Sequence, residues 1–297
     1  MLTILIFPVV GVIASKRLTG TKQDYLLGGR SSGKILVGLS AGATANSGFL
    51  MIASVGLGYT MGISAIVFPL SWFTGELIFW TFFPERVNKI ARDANCNTVP
   101  ELINSRTNNE NTHVIRLFAA FVTIIFIGIY AAAQLLAAGK TVGAVFEMDL
   151  AWGILFSAVV ITSYCAKGGL RASMWNNVIQ ALIMMAASYG MLIAAIVIGS
   201  GPEKIIQDLS SIDPNLVSFP GGFPTTLILV ASAIGFAGAA FGFDLSAPQF
   251  MVRLFSGRTP EEVKRAKWIY LGFIQTTWLS MVIFGAILRA LIPDIED

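Results

Sequence analysis

From Ile35 to Leu288 the sequence is a succession of long runs with few or no charges, separated by short charged stretches, and this pattern leaves few folds open. A helix needs about 20 apolar residues to cross the hydrocarbon core of a bilayer. Within that core an unpaired backbone N–H or C=O is so costly that only helices and closed barrels can span it. None of the runs alternates apolar and polar residues with the period of a barrel strand, so the chain reads as an all-α integral membrane protein. Eight candidate transmembrane helices are predicted, over residues 1–15, 35–57, 63–83, 117–138, 150–165, 174–199, 225–243 and 268–288. The first is short, begins at Met1 and has neither a basic leading region nor a small-residue cleavage site, so it reads as a clipped helix rather than a signal peptide.

Composition removes the alternatives. Of 297 residues 55% are hydrophobic and 12% charged, and the mean hydropathy is +0.73, where soluble domains carry about 25% charged residues. With two cysteines and no basic block, an ordinary cytosolic enzyme, a disordered chain, a disulfide scaffold and a nucleic-acid binder are all excluded. The 29 glycines suit helices that pack backbone to backbone.

Charge fixes the expected orientation. Seventeen of the twenty Lys and Arg residues follow the first, third, fifth and seventh helices, and only Lys140, Lys204 and Arg289 fall on the other side. The positive-inside rule makes the rich side cytoplasmic, with both ends of this chain outside. The net charge of +3 is then a topology signal. Cys96 and Cys165 fall on the cytoplasmic side, where thiols stay reduced. Residues 85–113, with Pro100 and the single histidine His113, form a solvated cytoplasmic loop expected to make short interfacial helices. Residues 200–224 form an external connector with one amphipathic turn at Lys204 to Leu209.

One histidine in a loop, no spaced metal-ligand set and no two acids at short helical spacing inside a span leave no apparatus for hydrolysis or group transfer, so a pore, a carrier or a sensor remains. In the second helix, Leu39-Ser40-Ala41-Gly42-Ala43-Thr44-Ala45-Asn46-Ser47-Gly48-Phe49 is either a close contact face or a broken helix. Its polar side chains point around most of a turn, which favours an unwound segment at Ala43 to Asn46 lining a cavity, where freed carbonyls could coordinate a cation. In the seventh helix Gly235, Gly238 and Gly242 space a small-residue face, and Asp244-Leu245-Ser246-Ala247-Pro248 then interrupts the run. Broken helices at corresponding places in two halves point to a transporter's midplane site. These two helices, the second and the seventh, lie five apart in the chain, as a five-plus-five inverted repeat requires. The layout expected is a clipped helix and loop (1–34), a first five-helix repeat (35–199), an external loop (200–224) and the start of an incomplete second repeat (225–297).

Inside the spans, Glu76 either bonds to a neighbouring helix or serves substrate or coupling ion, and Asp244 beside the second break is the stronger candidate for a functional acid. Trp72, Phe241 and Phe243 are packing residues or a gate. The expected solute contacts are Asn46, Ser47, Gly48, Trp72, Phe241, Asp244 and Pro248.

Several stretches resemble the sodium/solute symporter family, and within it the sodium:proline symporters. Asp24-Tyr25-Leu26-Leu27-Gly28-Gly29-Arg30 is similar to the family's D-Y-F-L-A-G-R segment, and Ser40 to Gly48 to its first unwound helix. Asn97-Thr98-Val99-Pro100-Glu101-Leu102 with Arg106 resembles its T-x-P-[DE]-[FY]…R motif; Gly168-Gly169-Leu170-Arg171-Ala172 with Gln180 resembles G-G-x-x-A-V…Q; Ala247-Pro248-Gln249 with Arg253 resembles G-Q-P-x…R. The resemblance implies an alternating-access carrier in the plasma membrane that couples sodium to the import of a small solute such as proline. It implies no cofactor, and partners limited to solute, sodium and lipid. It also implies that the backbone carbonyls of Ala43 and Asn46 form half of a sodium site, the other half lying beyond Asp297, which makes the sequence look like a partial chain. Ala45 stands where proline carriers have Asp, Asn176-Asn177 where the family has Thr-Asp, and Ala247 where it has Gln, so two coupling carboxylates are neutral. The competing reading is a membrane sensor module built on the same bundle.

The charge asymmetry predicts that a cysteine replacing Ser210, in a chain freed of Cys96 and Cys165, reacts with an impermeant thiol reagent in sealed right-side-out vesicles. Labelling only after permeabilisation would reverse the orientation.

Overall fold

The structure, a computed structural model, describes residues 2–15, 20–105 and 112–294. Lys16, Arg17 and Arg106, which enter the charge count and the motifs above, lie outside the described residues. The described residues are mostly helical: α1 (Leu2–Ser15), α2 (Lys22–Leu27), α3 (Lys34–Ala45), α4 (Gly48–Met61), α5 (Val67–Phe82), α6 (Pro84–Asp93), α7 (Val99–Ser105), α8 (Thr112–Phe146), α9 (Leu150–Ile198), α10 (Pro202–Ile212), α11 (Thr226–Ser246), α12 (Pro248–Ser256), α13 (Pro260–Arg265) and α14 (Lys267–Leu291). Five helical runs are long and apolar enough to cross a membrane: Met51–Phe82, His113–Phe146, Gly168–Ile198, Thr226–Ser246 and Pro260–Leu291. Two shorter apolar helices, Lys34–Ala45 and Leu150–Ser163, accompany them. The tally differs from eight because the second candidate helix is split and its latter part runs through a 3₁₀ segment at Gly62–Ile66 into the third, and because Leu2–Ser15 and Leu150–Ser163 are too short to count as spans.

Two compact units emerge, each assembled from separated stretches: Met1–Gly48, Thr81–Ile179 and Ser246–Ile269 in one, Phe49–Trp80, Gln180–Leu245 and Tyr270–Asp297 in the other. In the first, α12 packs on α3 and α6, α13 on α6 and α3, and α7 on α8. A short parallel bridge fixes the approach to α3: the Ser32 amide donates to the Ser256 carbonyl at 3.1 Å and the Arg258 amide to the Ser32 carbonyl at 2.8 Å. The expected cytoplasmic loop does contain short helices, α6 and α7, but His113 belongs to the first turn of α8. Asp24 and Arg171, from two separate motif segments, form an ion pair at 2.7 Å, and the same guanidinium nitrogen donates to the Gly28 carbonyl at 2.9 Å.

Where a loop was expected between residues 165 and 174, α9 continues and kinks at Gly169, with φ 54° and ψ −149°. That conformation is almost confined to glycine, and the Tyr25 carbonyl occupies the place a Cβ would take. The Tyr25 hydroxyl donates to the Ala166 carbonyl at 3.1 Å on the other side of the kink.

In the second unit, Ala65, Val67, Phe68, Phe223 and Val282 form one buried cluster, and Ala195, Ile205, Leu209, Leu216 and Ile287 another. The amphipathic turn expected near Lys204 is a full helix, α10, with Pro202 in its first turn and Ile205 and Leu209 buried. Glycine lets helices touch here: a Cβ on Gly58 would overlap the Val282 carbonyl, one on Gly285 the Val55 carbonyl, and one on Gly75 the Ala237 carbonyl. The face of Gly235, Gly238 and Gly242 is not a contact face within this unit, because a Cβ at any of the three meets nothing within 4 Å. The packing edge of α11 is instead Ala237 and Ala240, which receive Gly75.

Gly58→Val should therefore force α4 away from α14 and lower the thermal midpoint of the purified protein sharply, whereas Gly235→Ala should raise it slightly or leave it unchanged through helix propensity alone. Equal responses to the two changes would contradict the close approach at Gly58.

Candidate functional site

The first helix break lies where the sequence suggested, displaced by a few residues. Ala43 and Ala45 remain in α3; Asn46 leaves helical geometry at φ −79°, ψ 79°, and the Ser47 amide turns back to the Ala45 carbonyl at 2.9 Å before α4 starts at Gly48. The unwinding is thus at Asn46–Ser47 rather than Ala43 to Asn46, because alanine keeps the helix and the first residue able to leave it cheaply is the asparagine. Asn46 is buried, and a Cβ on Gly48 would meet nothing within 4 Å.

One turn before the break, Ser40 is a hub. Its carbonyl and hydroxyl accept from Asn177 Nδ2 at 3.2 and 3.3 Å, and Thr44 Oγ1 accepts from the same nitrogen at 2.9 Å. Arg253 Nε donates to Ser40 Oγ at 3.0 Å, while its terminal nitrogens reach the Gln249 carbonyl and Ser173 Oγ. Asn177 thus supplies a donor to a backbone carbonyl, which a carboxylate could not do. Its neighbour Asn176 is fully buried, with neither side-chain polar atom hydrogen-bonded among the described residues.

The second break falls at Ala247, extended at φ −79°, ψ 104° between α11 and α12. Proline explains it: Pro248 lacks an amide donor and biases the residue before it away from helix, yet suits the first turn of the next helix. The Phe250 and Met251 amides both donate to the Ala247 carbonyl. Arg253, which the sequence placed in a charged loop, is only 6% exposed in α12. Arg30 is buried likewise and donates to the Ala91 and Cys96 carbonyls at 3.1 and 2.6 Å, while Arg92 donates to Gly257 at 2.6 Å. Burial, and then the nearby Arg92 charge, lowers Arg30 from its ordinary value, but backbone carbonyls stand in for water around a guanidinium that stays charged.

In the second unit, Asp244 lies in the last turn of α11 and is fully buried. Tyr270 of α14, also fully buried, hydrogen-bonds Glu76 Oε1 on α5 and lies 3.4 Å from Asp244 Oδ1. Trp72 Nε1 donates to the same Glu76 oxygen at 2.8 Å. Glu76 is thus bonded to a neighbouring helix, the first of the two roles open to it. The Trp72 ring packs against Trp278 with centroids 5.2 Å apart, and also against Phe236 and Phe243; Phe241 meets Phe79 edge to face at 6.4 Å. Trp72, Phe241 and Asp244 therefore belong to one unit, and Ala43, Asn46, Ser47, Gly48 and Pro248 to the other. Tyr270 and the buried state of Arg253 escaped the sequence reading. A lone tyrosine in an apolar run carries no signal, whereas an arginine five residues after a break-forming proline could have been placed on the following helix.

The comparisons with known proteins bear on this geometry. The sequence profile of the sodium:solute symporter family matches residues 25–295. The chain is 28% identical over 283 residues to the high-affinity proline transporter PutP of Bacillus subtilis, covering 95% of this chain and 57% of that one. It is 26% identical over 294 residues to a sodium/proline symporter of Staphylococcus aureus, covering 97% and 55%. It shares its fold with a Na+-coupled sialic acid symporter solved in a substrate-bound outward-open state, with a TM-score of 0.78 at 19% identity over 97% of this chain and 58% of that one. The helices define a multi-pass membrane protein, with five runs among the described residues long and apolar enough to cross a bilayer. The chain belongs to the sodium:solute symporter family, and it spans about half the length of the curated relatives it matches.

Asn177→Asp should lower the thermal midpoint by the equivalent of about 1–3 kcal/mol, since a carboxylate would face the Ser40 carbonyl without a proton. A midpoint unchanged at neutral pH would mean that Asn177 does not hold Ser40.

Proposed function

We propose that the protein is a sodium-coupled secondary active transporter that imports a small solute across the plasma membrane by alternating access, with proline or another amino acid as the solute class. The observation that carries this reading is the pair of helix interruptions, Asn46–Ser47 and Ala247, each at a place where backbone groups leave the helical ladder within or beside an apolar run. Irregular backbone at membrane depth is tolerated where it lines a cavity or is buried in protein, and in carriers it holds ions and substrate. Family membership and the proline-transporting relatives support the same direction. We read the organisation as a five-plus-five inverted repeat of about eight helices here, divided at 1–34, 35–199, 200–224 and 225–297, with the positively charged loops in the cytoplasm. A sensor module built on the same bundle finds no support among these relatives.

Within this reading the carbonyls of Ala43 and Asn46 contribute to a sodium site, and Asn46, Ser47, Gly48, Trp72, Phe241, Asp244 and Pro248 face the solute path. A solute bearing both carboxylate and ammonium places its carboxylate at the amides of a half-helix N-terminus, where the partial positive charge favours it. Asp244, whose Oδ2 has no hydrogen-bond partner among the described residues, is the acid available to the ammonium. A sugar would need several neutral hydrogen-bonding side chains, and α11 supplies few.

In proteoliposomes carrying the complete protein, uptake of radiolabelled proline should require sodium at a clamped membrane potential, and Ser47→Leu should abolish it without loss of membrane insertion. Asp244→Asn should raise the half-saturation concentration about tenfold or more, as expected for one charge-assisted hydrogen bond of roughly 1.5–3 kcal/mol. Uptake indifferent to sodium would refute the coupling ion and point to protons instead. Normal transport by Asp244→Asn, or uptake of uncharged solutes alone, would refute the zwitterion.

A further inference from the structure

Three of the runs long enough to cross a membrane each bring one ionisable group to a common point: Glu76 from Met51–Phe82, Asp244 from Thr226–Ser246 and Tyr270 from Pro260–Leu291. All three residues have 0% exposure. The second carboxyl oxygen of each acid, Glu76 Oε2 and Asp244 Oδ2, is buried without a hydrogen-bond partner among the described residues. None of the ion pairs formed by the described residues includes either acid. Glu76 Oε1 accepts from Trp72 on α5 and Tyr270 on α14, the Trp80 ring packs on Tyr270, and no cation among the described residues forms an ion pair with either acid.

Counting protons decides the chemistry. The Trp72 indole has one N–H and the Tyr270 phenol one O–H. The indole proton goes to Glu76 Oε1, and the phenol makes its closer contact with that same oxygen. The Tyr270 oxygen is then left as an acceptor 3.4 Å from Asp244 Oδ1. Two acceptors face each other there unless Asp244 brings a proton of its own. Two carboxylates joined through one hydroxyl, in an interior without a counter-ion, cannot both be ionised at tolerable cost. An ionisable cluster inside a membrane span is characteristic of a proton or ion path.

We propose that Glu76, Tyr270 and Asp244 form a buried proton-binding site that holds one proton near neutral pH, bound to Asp244 and donated to the Tyr270 oxygen, while Tyr270 and Trp72 donate to an ionised Glu76. Binding and release involve no other bond: the proton leaves to water as the site opens, and Asp244 becomes the second carboxylate. This assignment describes the site without solute; an ammonium that pairs with Asp244 would displace the proton to water, and the assignment does not depend on which solute is carried.

Infrared difference spectroscopy on the complete protein in liposomes, without solute, tests it. At about pH 7, where an ordinary carboxyl is ionised, the wild type should show a carboxylic-acid C=O band that shifts in deuterium oxide. The band should be lost in Asp244→Asn, an isosteric change whose amide still donates to Tyr270. Raising the pH in weakly buffered suspension should discharge the band and release one proton per chain to an indicator dye, and Asp244→Asn should remove that release. A wild type without the band at neutral pH, or a band and release unaltered in Asp244→Asn, would overturn the proposal. Should the variant not fold, the wild-type band and its release on titration still decide, because an absent band or a titration without proton release overturns it. Uptake plays no part in these readouts, so failure here is distinct from failure of the sodium or amino acid assignment.

Discussion

Every backbone N–H and C=O inside a bilayer has to be satisfied by the protein itself, and the organisation of this chain follows from where that requirement is relaxed. Across most of the apolar runs the helical ladder meets it. At Asn46–Ser47 and at Ala247 the ladder stops, and both interruptions are heavily braced by side chains: Ser40, Thr44 and Asn177 before the first, Arg253 of α12 after the second. Arg253 links the two, since its guanidinium reaches from the helix that begins at Pro248 to the hydroxyl one turn before the Asn46 break. The bridge between Ser32 and the Ser256–Arg258 segment adds a second connection on the same unit. These bonds give the opened backbone defined partners in place of water.

The two units handle buried charge in opposite ways. In the first, arginines predominate, and they are neutralised by carbonyl dipoles: Arg30 by Ala91 and Cys96, Arg92 by Gly257, Arg253 by Gln249. Arg171 instead meets a carboxylate, the buried Asp24. Guanidinium suits this role, since it presents donors in several directions and does not lose its charge on burial. In the second unit the buried charges are acids, and the groups that meet them, Tyr270 and Trp72, carry single protons. An arginine held by carbonyls is fixed in state, whereas acids held by a phenol can change theirs.

Much of the fold was legible from local chemistry. Helix was dictated by long apolar runs without strand alternation, the second break by proline at residue 248, and short helices were expected within residues 85–113, whereas the segment that kinks α9 at Gly169 was expected to be a loop. The first break was seen but placed a few residues early, because polarity marks where a helix can open, and alanine in the same stretch still prefers the helix. What misled was the glycine face of α11. Spacing alone cannot tell a close contact from open space, and Gly75 meets Ala237 and Ala240 while Gly235, Gly238 and Gly242 meet nothing within 4 Å.

The sequence by itself settled that this is a helical membrane protein, roughly where its helices are interrupted and that Asp244 and Glu76 are the acids to watch, since each follows from a residue and its near neighbours. Only the tertiary structure decided that Tyr270, 26 residues from Asp244 and 194 from Glu76, stands between them, and that Arg253 turns inward to Ser40 across 213 residues of chain. The physical reason is rotational. A helix apolar on nearly all sides has no sharp hydrophobic stripe to say which face turns inward, so the meeting of single polar groups is fixed by glycine contacts and side-chain packing between helices, which no local pattern encodes.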